Sequence, residues 1–138
     1  MAMVLLASPV LASALPGEMQ ASPQRAAGPF PIVRRAASSR ALLDALRKPG
    51  WPVHDATVRC GARRFLWATI DEGSGVYRLH GLLYEVTRSG VRMVLHVQSG
   101  PDVFSLDAKG GRDRVTIYER AERAPGKPSP LIEYYCDE

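Results

Sequence analysis

The sequence predicts a mainly β protein, at the border with the α+β class, in which about six antiparallel strands form a small twisted sheet or barrel after one short N-terminal helix. Two observations support this fold class. From Asp55 onward, apolar and polar residues alternate with the period of two that is typical of strands. Helical periodicity, by contrast, occurs in one short stretch that follows Ser38.

The first 14 residues have features of a cleavable export signal. An apolar stretch covers residues 4–15, and Ala12-Ser13-Ala14 fits the small residues that precede a signal-peptidase cut. The stretch is too short to span a bilayer. Residues 1–3 lack the basic charge of a typical signal peptide, which leaves an apolar disordered tail as the alternative. We therefore predict a signal peptide over residues 1–14 and a periplasmic or secreted protein without stable membrane insertion.

Residues 15–35 are predicted to be a flexible leader. They contain four prolines among alanine, glycine and glutamine, a composition that buries little apolar surface and removes backbone donors. The remaining residues, 36–138, have the length of one small domain.

The helix is predicted at the start of this domain. Ser38 or Ser39 can cap its first amides, Arg47 suits the negative end of its dipole, and Pro49-Gly50 ends it. Its apolar stripe consists of Ala41, Leu42, Ala45 and Leu46. We expect this stripe to pack on the sheet.

The predicted strands are short apolar or alternating runs that turn residues separate. They cover residues 57–60, 63–71, 76–88, 91–98, 114–120 and 131–136, with a weaker candidate at 103–106. Residues 72–75 and Ser89-Gly90 supply the turns between the longest runs.

These two turns predict a register for the three longest strands. The first turn would pair Asp71 with Val76, and the second would pair Arg88 with Val91. One face of the resulting three-stranded sheet is then continuously apolar. Residues that this register aligns on that face are Phe65, Leu82 and Val97.

Cys60 and Cys136 are the two cysteines of the chain. An even and minimal cysteine count in a small exported protein is typical of one structural disulfide. We predict that the bond joins the first strand to the last. The alternative is that Cys60 is a thiol nucleophile beside His54, which requires its sulfur to be free.

Basic residues are concentrated in the first half of the chain. The net charge is +4, and the chain up to Arg64 holds nine basic residues against three acidic ones. This asymmetry predicts a basic pole that faces an anionic partner, or alternatively a solvated surface whose arginine content follows genome composition. No nucleic-acid recognition motif accompanies the charge. The candidate partner-binding residues are Arg63, Arg64, Lys109, Arg112, Arg123 and Lys127.

The titratable residues do not suggest a metal or cofactor site. In the predicted register His80 and His96 lie on opposite faces, and the chain has no paired metal-ligand spacing. Residues 107–113 superficially resemble a calcium loop but lack alternating oxygen ligands, so we interpret them as a hairpin turn. We therefore predict no cofactor.

One acid/base arrangement is conceivable. The predicted register places Glu85 and His96 on one sheet face, with Arg92 close enough to stabilise phosphate charge. Exposed glutamate, histidine and arginine are also ordinary on a sheet surface. A small secreted hydrolase is therefore the least favoured function.

The order of elements resembles that of the exported inhibitors of c-type lysozymes. The shared features are a disulfide from the first strand to the C-terminal end and Lys109-Gly110 before a late strand that contains Val115 and Tyr118. The Ser-Gly-Ala-Arg-Tyr stretch expected of that family is absent, so the resemblance is one of layout. It implies a small β-barrel.

These observations favour an exported binding protein over an enzyme. We predict an inhibitor or immunity-type protein that binds an envelope-acting enzyme or a toxin, because that role needs only a stable scaffold and a complementary surface. The alternative is an accessory subunit of a cell-envelope assembly, in which the leader is a tether that orders on its partner.

Overall fold

The computed structural model describes residues 32–73, 78–100, 102–124 and 126–136. The predicted signal peptide and most of the predicted leader lie outside these ranges. Within them the chain is mainly β with one short helix, which confirms the predicted fold class. The elements are β1 (Arg35–Ala36), α1 (Ser39–Arg47), β2 (Val53–Cys60), β3 (Arg63–Asp71), β4 (Leu79–Thr87), β5 (Gly90–Gln98), β6 (Val103–Gly110), β7 (Arg114–Ala121) and β8 (Ser129–Tyr135).

The described strands form two open antiparallel sheets. The first has the strand order β1-β5-β4-β3-β2, and the second has the order β6-β7-β8. Neither sheet closes on itself. The sequence was compatible with either a twisted sheet or a barrel, and the resemblance to lysozyme inhibitors implied a barrel. The described strands do not form one.

Helix α1 has the predicted caps. The Ser38 hydroxyl accepts a hydrogen bond from the backbone N–H of Ala41 at 3.1 Å, which satisfies one of the free amides of the first turn. After the helix, the N–H of Gly50 donates to the carbonyl of Arg47, and Gly50 takes a φ of +98° that favours glycine. Leu42 and Leu46 of the predicted stripe are buried, whereas Ala41 and Ala45 are exposed.

Both faces of strands β3 and β4 are buried. Alternate residues such as Phe65 and Trp67 face the second sheet, whereas Leu66 and Ala68 face the opposite side. Helix α1 contacts the edge strand β1 and its neighbour β5 in this sheet. The core between the sheets contains Val58, Cys60, Phe65, Trp67, Leu79, Leu83, Val103, Leu106, Val115, Ile117 and Cys136.

The predicted register is wrong between β3 and β4. Asp71 pairs with Leu79 rather than Val76, because the connection is longer than a tight turn and the N–H of Glu72 donates to the carbonyl of Arg78. A shift of three residues is odd, so it moves every β4 side chain to the other face. Phe65 therefore pairs with Glu85 rather than Leu82. Between β4 and β5 the pairing also differs, since Thr87 pairs with Gly90 and a bulge follows.

The predicted disulfide joins the two sheets. Cys60 ends β2 and Cys136 follows β8, with Cα atoms 6.5 Å apart. Around the bond, the N–H of Cys136 donates to the carbonyl of Asp113, and the N–H of Gly61 donates to the carbonyl of Gly111. The disulfide therefore joins the end of β2 to the end of β8, and the two hydrogen bonds attach the turn between β6 and β7 beside it.

Glycine at position 110 permits this close packing. A Cβ atom there would lie 1.7 Å from the backbone oxygen of Arg59, a contact that only a backbone shift could relieve.

Within the described residues, no helix has both the length and the apolarity needed to cross a membrane.

Candidate partner-binding surface

Five exposed arginines lie at the end of the molecule that carries the disulfide. We call this group the arginine end. Within the described residues none of its five guanidinium groups forms an ion pair. The arginine end consists of Arg35, Arg59, Arg64, Arg88 and Arg112.

The strand pairing and the turns bring these arginines to one end. Arg59 and Arg64 are direct cross-strand partners at the end of β2 and the start of β3. Arg88 lies in the turn between β4 and β5, and Arg35 lies on β1 beside the start of β5. Arg112 lies in the turn between β6 and β7, which the Gly61–Gly111 hydrogen bond holds against the turn between β2 and β3. Residues from five separate elements thus lie at the same end of the fold, with Arg35 and Arg59 on its two edge strands.

This arrangement is electrostatically unfavourable for the isolated protein. Arg59 directly opposes Arg64, and like charges in directly opposed positions destabilise a sheet. An anionic partner removes the repulsion, because each guanidinium can bind a carboxylate with two parallel hydrogen bonds.

The nearby carboxylates are already used by other arginines. Glu85 accepts hydrogen bonds from Arg63 at 2.7 Å and 2.9 Å and from Arg92 at 3.0 Å. Asp113 and Glu133 pair with Arg114. Among the described residues these acidic groups form no ion pair with the five cations of the arginine end, although the charge of Arg112 helps to lower the pKa of Asp113 after the larger effect of Arg114.

The Glu85 network fixes the scaffold beneath the arginine end. Only 8% of Glu85 is exposed, and its carboxylate bridges β3 to β5 through the two arginines. The hydrogen bond with Glu85 raises the pKa of Arg63 above its ordinary value. Arg63 also donates to the carbonyl of Cys136, so the network reaches the residue of the disulfide.

We expect Glu85→Gln to lower the free energy of unfolding by about 1 to 3 kcal/mol, because it leaves Arg63 without its charged partner in a partly buried position. Urea denaturation measures this change. The matched control is Glu133→Gln, which breaks an exposed pair with Arg114 and should cost less than about 1 kcal/mol. Equal losses in the two variants would contradict the structural role of Glu85.

The structure divides the six candidate residues between two regions. Arg64 and Arg112 belong to the arginine end, and Arg63 and Lys109 lie beside it on β3 and β6. Arg123 and Lys127 lie in the connection between β7 and β8, at the opposite end of β7. All except Arg63 are exposed.

Three arginines of the surface were absent from the sequence-based candidates. Arg35, Arg59 and Arg88 come from elements whose ends meet only once the strand order is known. The basic first half of the chain signalled two of them, but it did not indicate that they share one end with Arg112.

The proposed acid/base pair does not form. His96 pairs with Leu82, three residues from Glu85 along β4, so the side chains of Glu85 and His96 lie on opposite faces of the sheet. Arg92 pairs with Glu85 instead, as a structural ion pair. The hydrolase arrangement of Glu85, His96 and Arg92 is therefore wrong.

The separation of the histidines was also wrong. His80 Nδ1 lies 3.1 Å from His96 Nε2, and His80 Nε2 lies 2.8 Å from a carboxylate oxygen of Glu72. The corrected register places His80 opposite Gln98 and thus diagonal to His96 on the same face. His54, in contrast, is exposed on β2.

No group of three or more histidine, cysteine, aspartate or glutamate side chains is arranged to hold a metal ion in the part of the chain that the structure describes. Residues 107–113 form the end of β6 and the turn to β7.

The chain matches no protein-family model, no curated protein and no solved structure.

Proposed function

We propose that this is an exported binding protein whose arginine end recognises an acidic surface of another protein. Its role is that of an inhibitor or immunity-type protein, and the partner is an envelope-acting enzyme or a toxin. The observation that carries the proposal is that five exposed arginines, none in an ion pair among the described residues, lie at the end of the fold that carries the disulfide.

The chemistry of arginine favours protein carboxylates as the ligands. Guanidinium groups are weakly hydrated, bind carboxylates in a bidentate manner and are enriched at protein interfaces. The cross-strand positions of Arg59 and Arg64 present two such groups side by side. Each carboxylate that binds there relieves repulsion as well as forming its own hydrogen bonds.

The scaffold supports an inhibitory role. The disulfide, the Glu85 network and the Gly61–Gly111 hydrogen bond all lie at the arginine end. A surface held in this way loses little conformational entropy on binding, so more of its interaction energy appears as affinity.

Paired affinity capture tests the proposal. The baits are the oxidised protein, its Arg59→Glu/Arg64→Glu variant and an Arg123→Glu/Lys127→Glu control that changes the net charge by the same amount at the opposite end of β7. Each bait is exposed to an envelope extract and to the culture supernatant of a competitor, and bound proteins are identified by mass spectrometry.

The expected result is an acidic protein that the wild type and the control retain and the Arg59/Arg64 variant does not. After purification, the enzymatic or toxic activity of this acidic protein should fall in proportion to the amount of wild-type bait protein bound to it. Equal recovery on all three baits would show that the arginine end is not the binding surface. A retained partner whose activity is unchanged would overturn the inhibitory role.

A further inference from the structure

The imidazole rings of His80 on β4 and His96 on β5 meet end to end. His80 Nδ1 lies 3.1 Å from His96 Nε2, the ring centroids are 5.3 Å apart, and the ring planes differ by 24°. With the facing nitrogens 3.1 Å apart, the centroids reach this separation only when both nitrogens lie close to the line between the ring centres. The in-plane bonding direction of each nitrogen therefore points at the other nitrogen.

Glu72 orients the buried ring of this pair. A carboxylate oxygen of Glu72 lies 2.8 Å from His80 Nε2, and the side chains of His80 and Glu72 are only 2% and 12% exposed. Because the carboxylate accepts a hydrogen bond from Nε2–H, the lone pair of His80 is on Nδ1 and faces His96. Carboxylates orient metal-binding histidines in the same way, through the ring nitrogen that does not bind the metal.

We propose that the facing nitrogens of His80 and His96 bind a linear two-coordinate monovalent metal ion, Cu⁺ or Ag⁺, in place of the proton that lies between them.

The opposed directions of the two nitrogens select this kind of ion. Zn²⁺ requires ligands that converge tetrahedrally, and the described part of the chain holds no group of three or more histidine, cysteine, aspartate or glutamate side chains arranged around one ion. Cu⁺ and Ag⁺ have filled d shells and form linear complexes with two ligands, and imidazole is a suitable ligand for copper. Two nitrogens on one line satisfy such an ion completely.

A small movement of His96 makes room for the ion. Metal–nitrogen bonds to histidine are about 2 Å long, so the two nitrogens must separate by about 1 Å. His80 is fixed by burial and by Glu72, whereas His96 is half-buried and takes up the shift. Two metal–nitrogen bonds form and the hydrogen bond between the rings breaks. The proton on His96 Nε2 leaves to solvent, and Nδ1 of the same ring takes up another.

The charges around the pair act in both directions. Burial is the main cause that lowers the pKa of His96, from 6.5 to about 4, and the charges of His80 and Arg34 lower it further while Glu72 raises it. His96 is therefore neutral at pH 7, so the ion does not displace a second proton from it. The Glu72 carboxylate favours the bound cation, and Arg34 disfavours it.

Silver titration of the oxidised full chain tests the site. Histidine is labelled with nitrogen-15, silver nitrate is added at pH 7 in a chloride-free buffer, and NMR follows the ring nitrogens. We expect one equivalent of Ag⁺ to shift the signals of His80 Nδ1 and His96 Nε2 and to leave those of the exposed His54 unchanged. Zn²⁺ at the same concentration should leave the pair unchanged. The four methionines also offer soft sulfur ligands, but binding there does not shift these nitrogens.

Matched variants complete the test. His96→Gln should abolish the silver-induced shift of His80 Nδ1, and His54→Gln should leave it intact. Glu72→Gln should lower the affinity for Ag⁺ about 10- to 100-fold, as loss of an orienting carboxylate does at other metal sites. Arg34→Gln changes an exposed residue and should raise the affinity, so it decides the question if the other two variants do not fold.

Three results would overturn the site. The first is that excess Ag⁺ leaves the ring nitrogens of His80 and His96 unshifted in the wild type. The second is that Zn²⁺ shifts them as strongly as Ag⁺, which would contradict linear coordination. The third is an affinity for Ag⁺ that neither Glu72→Gln nor Arg34→Gln changes.

Discussion

Replacement of Cys60 and Cys136 by alanine lowers the free energy of unfolding by about 4 to 5 kcal/mol. The bond closes a loop with a sequence separation of 76 residues, and a loop of this length gives a stabilisation of that size in the chain-entropy model. Small domains commonly have total stabilities of only about 5 to 15 kcal/mol. The loss is therefore a large part of what holds the fold together.

The position of the bond adds a second effect. Cys136 also accepts a hydrogen bond from Arg63 and donates its N–H to Asp113, so the C-terminal end is anchored at several points once the disulfide is in place. Denaturation of the double alanine variant and of the reduced wild type measures the change. Both should lose comparable stability. A loss below about 1 kcal/mol in both would mean that the two sheets hold together without the bond.

We expect reversal of charge at Arg59 and Arg64 to lower the affinity for the proposed acidic partner by about 100-fold or more. Each substitution removes a bidentate donor and introduces a carboxylate that repels the partner surface. Calorimetric titration with the purified partner measures the affinity, and poly-L-glutamate serves as a carboxylate probe of known chemistry. The Arg123→Glu/Lys127→Glu control should change the affinity by less than about tenfold.

Salt dependence distinguishes local recognition from bulk charge. Exposed ion pairs weaken as ionic strength rises, so wild-type affinity should fall with added salt and the variant should show a smaller fall. If the control variant loses as much affinity as the Arg59/Arg64 variant, net charge rather than the arginine end governs binding.

Local signals in the sequence predict the elements well. The Ser38 cap and the Pro49-Gly50 stop bound a helix that the structure places at Ser39–Arg47. The alternating run at residues 63–71 matches β3 at both ends. Each of these features depends on neighbouring residues, and such local chemistry can be interpreted without knowledge of the fold.

Pairing between strands is less accessible from the sequence. Glycine and serine at residues 73–75 indicate a turn, but they do not fix its length, and a change of three residues reverses the face of every β4 side chain. A second error, of one residue between β4 and β5, placed His96 opposite Leu83 rather than Leu82, and it separated His80 from His96 and placed Glu85 beside His96. Both mistakes about the chemistry of the sheet follow from it.

The arginine end was only partly predictable, because composition indicates a basic region but not the strand order that assembles it. The excess of arginine up to Arg64 indicated a basic pole, and Arg64 and Arg112 were candidates for partner binding. Their convergence with Arg88 depends on the strand order β5-β4-β3-β2 and on the packing of the turn between β6 and β7 against Gly61. These are long-range properties, and composition does not encode them.

Amide chemical-shift mapping tests most directly whether the arginine end binds an acidic partner. Nitrogen-15-labelled oxidised protein is titrated with the captured partner, and the perturbed amides are assigned. We expect the perturbations to concentrate at Arg59, Arg64, Arg88 and Arg112 and at the turns that carry them. Perturbations centred on the connection between β7 and β8, with the arginine end unchanged, would show that the arginine end is not the binding surface.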